Sequence, residues 1–535
     1  MRLISLFYFI FLFAFLCKAQ PVLNIRLDVG TAGATIFSSV FATESCYYVI
    51  GKSKDLIPPY LQEGVFIKFN LDGSIADTTY YKNDSANYIL WESPNLIKTL
   101  DGNFAQTFTV APLASDFHFG FIKLNTNGDT LIFKTYLDLY NQNLDDWVLQ
   151  PGGFLQDPID SAYYGTVNVS RYSDLVGGTA LFKISKSGEL LWHQTYYGIS
   201  GNFRIFNAAS LIKIAPDRLM IGGTQTHTPA ANADWRDNTK ILIVDTLGNI
   251  IQTKVYPADQ LAYGCNGLSQ TMDGGYIYGG QNGTFVQNGN ARDYRARIVK
   301  LNANLMEEWR IEQGIETSQN LMNFENILEL TDSTFVVVGR SLDTTDINLH
   351  GYHTGGWLLK FNLSGAILWS RKYRKVEFLD NENNFPTHIL YDVDITPDSG
   401  FVMVGQSQNF EASNPEPIGQ LGWLVKTDKH GCLVPGCEEF DTAGKPPVKP
   451  KSEIGLKIFP NPANDELYIY YASQIAHENV IAYLYNVNGQ IVKQWAITSN
   501  YTTYMLDVSS FSKGIYVLKI ANDLEILKTE KLVLE

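Results

Sequence analysis

His350 and His353, in the stretch LHGYHTGG, stand three residues apart, a spacing that could set two imidazoles beside one metal ion. A zinc site needs further ligands, and none with suitable spacing lies nearby, so no metal is implied and the pair reads, with Tyr352 between them, as loop residues of a binding surface. Trp235 and Arg236 in DWRDN, and Arg292 and Tyr294 in ARDYR, join that surface: aromatic faces could stack on sugar rings and guanidinium groups could hold carboxylates. Asp392 and Asp394 in YDVDITPDSG alternate along one strand and so face the same side, which is neither a spaced acid pair nor a calcium loop. LDNENN, at 379–384, is acidic but lacks the glycine and terminal glutamate of an EF-hand. Both read as solvated or channel-lining polar groups. No G-x-S-x-G elbow, H-E-x-x-H pair or phosphate-cradling glycine loop occurs, so the sequence names no catalytic residue and no cofactor.

The totals narrow the partners. A formal charge of −14 with no long basic run leaves no footprint for nucleic acid or for attachment to anionic lipid. Arg2, the apolar run at 3–16 broken only by Ser5, and the small residues in CKAQ read as an export leader cut after Ala19. No later run approaches the ~20 apolar residues of a transmembrane helix, so no integral membrane span is expected. Of the cysteines beyond that cut, Cys432 and Cys437 in GCLVPGC flank a Pro-Gly turn and are expected to form a disulfide in an oxidising compartment. Cys46 and Cys265 read as buried free thiols.

The elements that must position these residues are repeats. An apolar run carrying lysine and closing on glycine recurs as VFIKFNLDG, GFIKLNTNG, ALFKISKSG, ILIVDTLG, RIVKLNANL, WLLKFNLSG and WLVKTDKHG, ending at Gly73, Gly128, Gly188, Gly248, Leu305, Gly365 and Gly431. A polar turn followed by an alternating strand and, in most copies, a closing glycine precedes each one, as in LTDSTFVVVG and TPDSGFVMVG, and a further run follows, with Trp192, Trp309 and Trp369 at one offset. Four strand-like runs per repeat and seven repeats spell an all-β, seven-bladed β-propeller over residues 20–437. The copies resemble the kelch-like and quinoprotein-like propeller repeats of secreted bacterial proteins. The seventh copy lacks a fourth strand, and LNIRLDV near the N-terminus is expected to supply it. Alternate turns are tight, whereas the long connections gather on the other face, the candidate binding surface.

Residues 438–454, EEFDTAGKPPVKPKSEI, form a Pro/Lys-rich linker, and the alternating runs of 455–535 fit a small immunoglobulin-like β-sandwich. IFPNPANDELYI, LYNVNGQIVKQW, LDVSSFSKGIYVLKI and the terminal KTEKLVL, in that order, resemble the type A C-terminal sorting domain of the Bacteroidetes type IX secretion system. The matching residues are Pro460, Asn461, Pro462, Gly489, Gly514, Tyr516 and Lys531. Both prolines fix φ and lack N–H donors, which predicts an extended, unpaired turn at the sandwich edge; the glycines permit hairpin angles. The resemblance implies an address read by type IX machinery at the outer membrane after passage through the periplasm, with the cargo released or attached at the cell surface. For the propeller, a non-enzymatic module binding an unidentified glycan or protein is favoured. A secreted glycan-degrading hydrolase or lyase is the alternative, needing acidic or histidine side chains from several blades to converge.

Overall fold

The computed structural model describes residues 20–535 apart from 31–33, 56–57, 59, 91–93, 114–116, 137–146, 172–175, 198–202, 228–235, 257–261, 286–291, 315–321, 343–353, 377–386, 410–417, 435–436, 438–453, 474–479, 498–500 and 523–525. The chain divides into two compact units, residues 1–298 with 311–447 and residues 299–310 with 448–535. Among the described residues every regular element is a β-strand, apart from a 3₁₀ residue at Cys437.

The larger unit is built from antiparallel four-strand meanders. Thr35–Ala42, Cys46–Lys54, Gln62–Asn70 and Ile75–Tyr81 pair in that order, and the order recurs from Trp147–Gln156 to Leu190–Tyr197, from Phe203–Ala215 to Ile250–Tyr256 and from Asn323–Glu329 to Ile367–Tyr373. In two copies the first position is shared by two short strands: Ala86–Ile89 and Ile97–Lys98 both pair with Phe104–Pro112, and Ala262–Tyr263 and Gly267–Gln270 both pair with Tyr276–Phe285. Thr387–Ile395, Phe401–Asn409 and Gly419–Thr427 are completed by the N-terminal strand Leu23–Leu27, which runs antiparallel to Gly419–Thr427 with Leu23 opposite Lys426. That is the join expected from its alternation.

Second and third strands are apolar on both faces because both faces are covered: Val336, Val337 and Val338 are each fully buried. Fourth strands have one solvated face and are exposed at alternate positions, as in Thr130–Tyr136. Lys68, Lys123, Lys183, Ile243, Lys300, Lys360 and Lys426 all fall in the strand preceding that edge, so the repeat read from sequence is a structural one.

Glycine closes most of the second-strand patterns for a specific reason. First strands carry a bulge, at Phe37/Ser39, Ala208/Ser210, Phe324/Asn326 and Leu390/Asp392. There the first strand's carbonyl approaches the second strand so closely that a Cβ on Gly51, Gly223, Gly339 or Gly405 would lie 2.1, 2.2, 2.0 or 1.8 Å from the oxygen of Ile36, Asn207, Asn323 or Ile389.

Successive meanders are tied by tyrosines at the ends of fourth strands. The hydroxyls of Tyr81, Tyr136, Tyr196 and Tyr373 donate to the carbonyls of Gly128, Gly188, Gly248 and Gly431, the turn glycines of the following meander, at 2.7, 2.7, 2.7 and 2.8 Å.

In the smaller unit two sheets share one core. Ile454–Phe459, Glu466–Ser473 and Tyr501–Asp507 form the first; Ile491–Ala496, Ile481–Asn486, Gly514–Ala521 and Ile526–Leu534 form the second. Leu467, Ile469, Leu484, Leu518, Ile520 and Leu532 fill the space between them.

Candidate functional site

Of the residues assigned to a binding surface, Trp235, His350, Tyr352 and His353 lie outside the described residues, as does LDNENN. Arg236, Arg292 and Tyr294 are not loop residues: Arg236 opens the strand Arg236–Asp245 opposite His227, and Arg292 and Tyr294 lie within Arg292–Leu301. Strand pairing runs further into the connection than its mixed composition suggested, because the main-chain ladder can continue whatever side chains the strand's end carries. Among the described residues no group of three His, Cys, Asp or Glu is placed to hold a metal ion. Cys432 and Cys437 are joined by a disulfide, and Cys46 and Cys265 are buried thiols.

Asp392 and Asp394 are structural ties. Asp392 is 7% exposed, so it is not solvated. Its Oδ2 accepts the Val40 N–H at 2.9 Å, and its Oδ1 accepts the Asn326 amide at 2.7 Å and the Val393 N–H at 2.9 Å. Asp394 Oδ2 accepts the Ala42 N–H at 2.8 Å. The two aspartates, two residues apart, thus bind alternate N–H groups of Thr35–Ala42, while Asn326 draws in the preceding meander. Burial pushes the Asp392 carboxyl up to about 7, against the opposing pull of those hydrogen bonds. With three of the four oxygens engaged by neighbouring strands and Asp394 Oδ1 accepting the Ile395 N–H, this pair is spent on joining meanders.

A second network was missed in the sequence although its parts were both visible. The recurring lysine of the third strand reaches back to the aspartate of the first polar turn: Lys123 to Asp101 at 2.6 Å, Lys183 to Asp160 at 2.6 Å, Lys360 to Asp332 at 3.3 Å and Lys426 to Asp398 at 3.1 Å. Asp398 also accepts from Thr396 Oγ1 at 2.5 Å and from the Gln20 N–H at 2.8 Å. Burial works against ionisation there, but the Thr396, Gln20 and Lys426 hydrogen bonds outweigh it and hold this carboxyl below the usual range. The sequence signal was their joint recurrence, aspartate in the polar turn and lysine in the third strand. Where Ile243 replaces the lysine, the turn aspartate, Asp217, has a side chain 73% exposed. These lysines are fastenings of the meander and are not aimed at a ligand.

The clearest constellation lies in the smaller unit, around the sequence FPNPA. Phe459–Pro460 and Asn461–Pro462 are both cis. The segment is not the unpaired turn expected from its prolines. Asn461 Nδ2 donates to the Lys531 carbonyl at 3.0 Å, and the Val533 N–H donates to Asn461 Oδ1 at 2.8 Å. Ala463 N–H donates to Val533 O, and Glu535 N–H to Ala463 O, each at 2.9 Å. A side-chain amide, carrying one acceptor and donors like a peptide group, has taken the place of backbone that proline could not supply. Tyr516 is buried, donates its hydroxyl to Ser512 O at 2.7 Å and packs on Phe511. Gly489 and Gly514 have φ of 76° and 143°, which side-chain-bearing residues rarely adopt. Between the turns that these glycines serve lies a cavity of about 500 Å³ lined by Val487, Val492, Phe511, Lys513, Ile515 and Tyr516.

Residues 457–535 match the family model of the secretion system C-terminal sorting domain. No curated protein matches the chain. Among solved structures, a protein of unknown function from Dyadobacter fermentans is 11% identical, covering 65% of this chain and 96% of its own, with a TM-score of 0.40. One of unknown function from Bacteroides caccae is 11% identical over 64% and 94%, TM-score 0.32. A Hadza microbial sialidase is 9% identical over 69% and 73%, TM-score 0.37. Likenesses this weak transfer no activity to this chain.

Proposed function

We propose that this chain is an exported cargo protein: residues 1–19 a cleaved leader, 20–437 a closed seven-bladed propeller, 438–454 a linker, and 455–535 an immunoglobulin-like sandwich that addresses the whole to the type IX secretion machinery at the outer membrane. The observation that carries the reading is the sorting-domain match at 457–535, on a module whose Asn461, Tyr516 and turn glycines each have a defined structural task. The propeller acts outside the cell, released or surface-attached, as a binding module for a glycan or a protein presented to its long connections. Supporting this, the aspartates Asp392 and Asp394 are consumed in ties between strands.

Fusing residues 438–535 behind an export leader to an inert periplasmic reporter tests the address. Appearance of the reporter outside a type IX-competent host is expected, and its retention in the periplasm overturns the reading. A glycan-array screen of the full mature chain, with turnover assayed on any hit, tests the binding role; hydrolysis of a hit removes the non-enzymatic half of the proposal.

A further inference from the structure

The terminal strand Ile526–Leu534 has a strand neighbour on one side, Gly514–Ala521. Among the described residues the other edge is hydrogen-bonded at its far end, where Asn461 binds Lys531 O and Val533 N, and Ala463 binds Val533 O and Glu535 N. Main-chain groups on one edge recur at every second residue. Lys531 and Val533 therefore place Thr529 on the same outward edge, upstream of the last of these contacts and before the irregularity at Leu527, and the Thr529 side chain is exposed. An open edge is a template for another strand, and natural sheets cover theirs. Here the cover is short by construction. Pro460 and Pro462 offer no N–H, so the segment cannot extend into a full ladder, and lifting it would leave Ile454–Phe459 paired with Glu466–Ser473.

We propose that the outer edge of Ile526–Leu534 is the surface by which the sorting domain docks, adding itself strand to strand to an open sheet edge of a β-structured export partner, and that residues 460–463 are a cap that the partner displaces. This rests on the type IX reading and gives that reading a contact surface. The partner is recognised by extended backbone with unpaired N–H and C=O groups, so the terminal strand's side chains tune the fit while its main chain makes the bond.

Three chains expressed in a type IX-competent host separate the two claims: the full-length parent, a chain lacking 455–535, and full-length Thr529→Pro. Proline at 529 deletes an outward N–H and leaves the inward ladder to Gly514–Ala521 intact. Export of the parent, retention of the truncated chain, and retention of a Thr529→Pro chain that melts like the parent are expected. Normal export of Thr529→Pro beside a retained truncation overturns the docking edge alone; export of the truncated chain overturns the type IX reading. Should Thr529→Pro melt differently, a photo-cross-linking residue at position 529 decides. An adduct with an outer-membrane protein there, and none from position 493 on the opposite edge strand, supports the proposal; the reverse pattern, or no adduct at 529, overturns it. The cap is read by hydrogen exchange: Asn461→Ala should speed exchange of the Val533 amide by about tenfold while Leu518 is unchanged. An unaltered Val533 amide removes the cap.

Discussion

Asp392 accepts three hydrogen bonds yet titrates high, because burial of its carboxylate costs more than those bonds return. Its folded pKa, about 7, stands above the ordinary 3.8, so between those pH values the folded chain holds a proton that the unfolded chain has released. The stability drawn from this group is therefore full below pH 3.8 and is lost as pH rises towards 7. Asp392→Asn should remove that slope from denaturation curves taken at several pH values. The same substitution should lower stability by about 1–3 kcal/mol, since its NH₂ must face a donor from Val40 or from Asn326 and Val393. Ser399 makes the opposite case: it sits at φ 64°, where the corresponding turn positions carry Gly102 and Gly274 at 82° and 80°. Ser399→Gly should raise stability by about 1 kcal/mol, read as a higher melting temperature.

Strand-level rules explain why the same motif weighs differently from copy to copy. Lys426 is fully buried and its partner Asp398 nearly so, whereas Asp332, the partner of Lys360, is 57% exposed. Asp398→Ala strands a cation in the interior and should cost about 3–5 kcal/mol. Asp332→Ala leaves its lysine free to reach water and should cost under about 1 kcal/mol. Equal losses in chemical denaturation would show that burial is not the deciding variable. The strands themselves were legible because apolar alternation and turn glycines are local signals, and the four-run repeat followed from them. The lysine–aspartate fastening was not, because its partners are 22 to 28 residues apart in the chain and meet only once the first three strands have paired. The glycine of FVMVG was legible as a recurrence but not as a cause. Its reason is the bulge on another strand, and Gly405→Ala, with its Cβ driven onto Ile389 O, should abolish folding of the larger unit.

At the scale of the whole larger unit, the N-terminal strand is the piece on which the most distant parts of the sequence converge. Arg26 donates to the carbonyls of Ser407 and Gly419, Asn24 to that of Arg374, and the Trp423 indole N–H donates to Asn24 Oδ1. The Tyr47 hydroxyl reaches Gln20 Oε1 at 2.8 Å, so the first meander is held by the same segment that completes the last. The sequence disclosed the need for this strand through a missing partner in the final copy, but not the contact of the Gln20 nitrogen with Asp398, which no periodicity encodes. Under the proposed cut after Ala19, that contact would tie folding to leader removal. If the leader is cut after Ala19, the Gln20 nitrogen becomes an α-ammonium 2.8 Å from a buried carboxylate already paired with Lys426, turning a neutral donor into a charged one. The mature chain beginning at Gln20 should then be more stable than one retaining residues 1–19 by about 1–2 kcal/mol, and Asp398→Asn should erase most of the difference. A mature chain lacking residues 20–30 should lose the larger unit cooperatively, in one transition at lower temperature. Calorimetry of the mature and leader-retaining chains, each with and without Asp398→Asn, and of the chain lacking 20–30 checks both claims; a leader that leaves the melting curve untouched would mean that the terminal charge finds water and not Asp398.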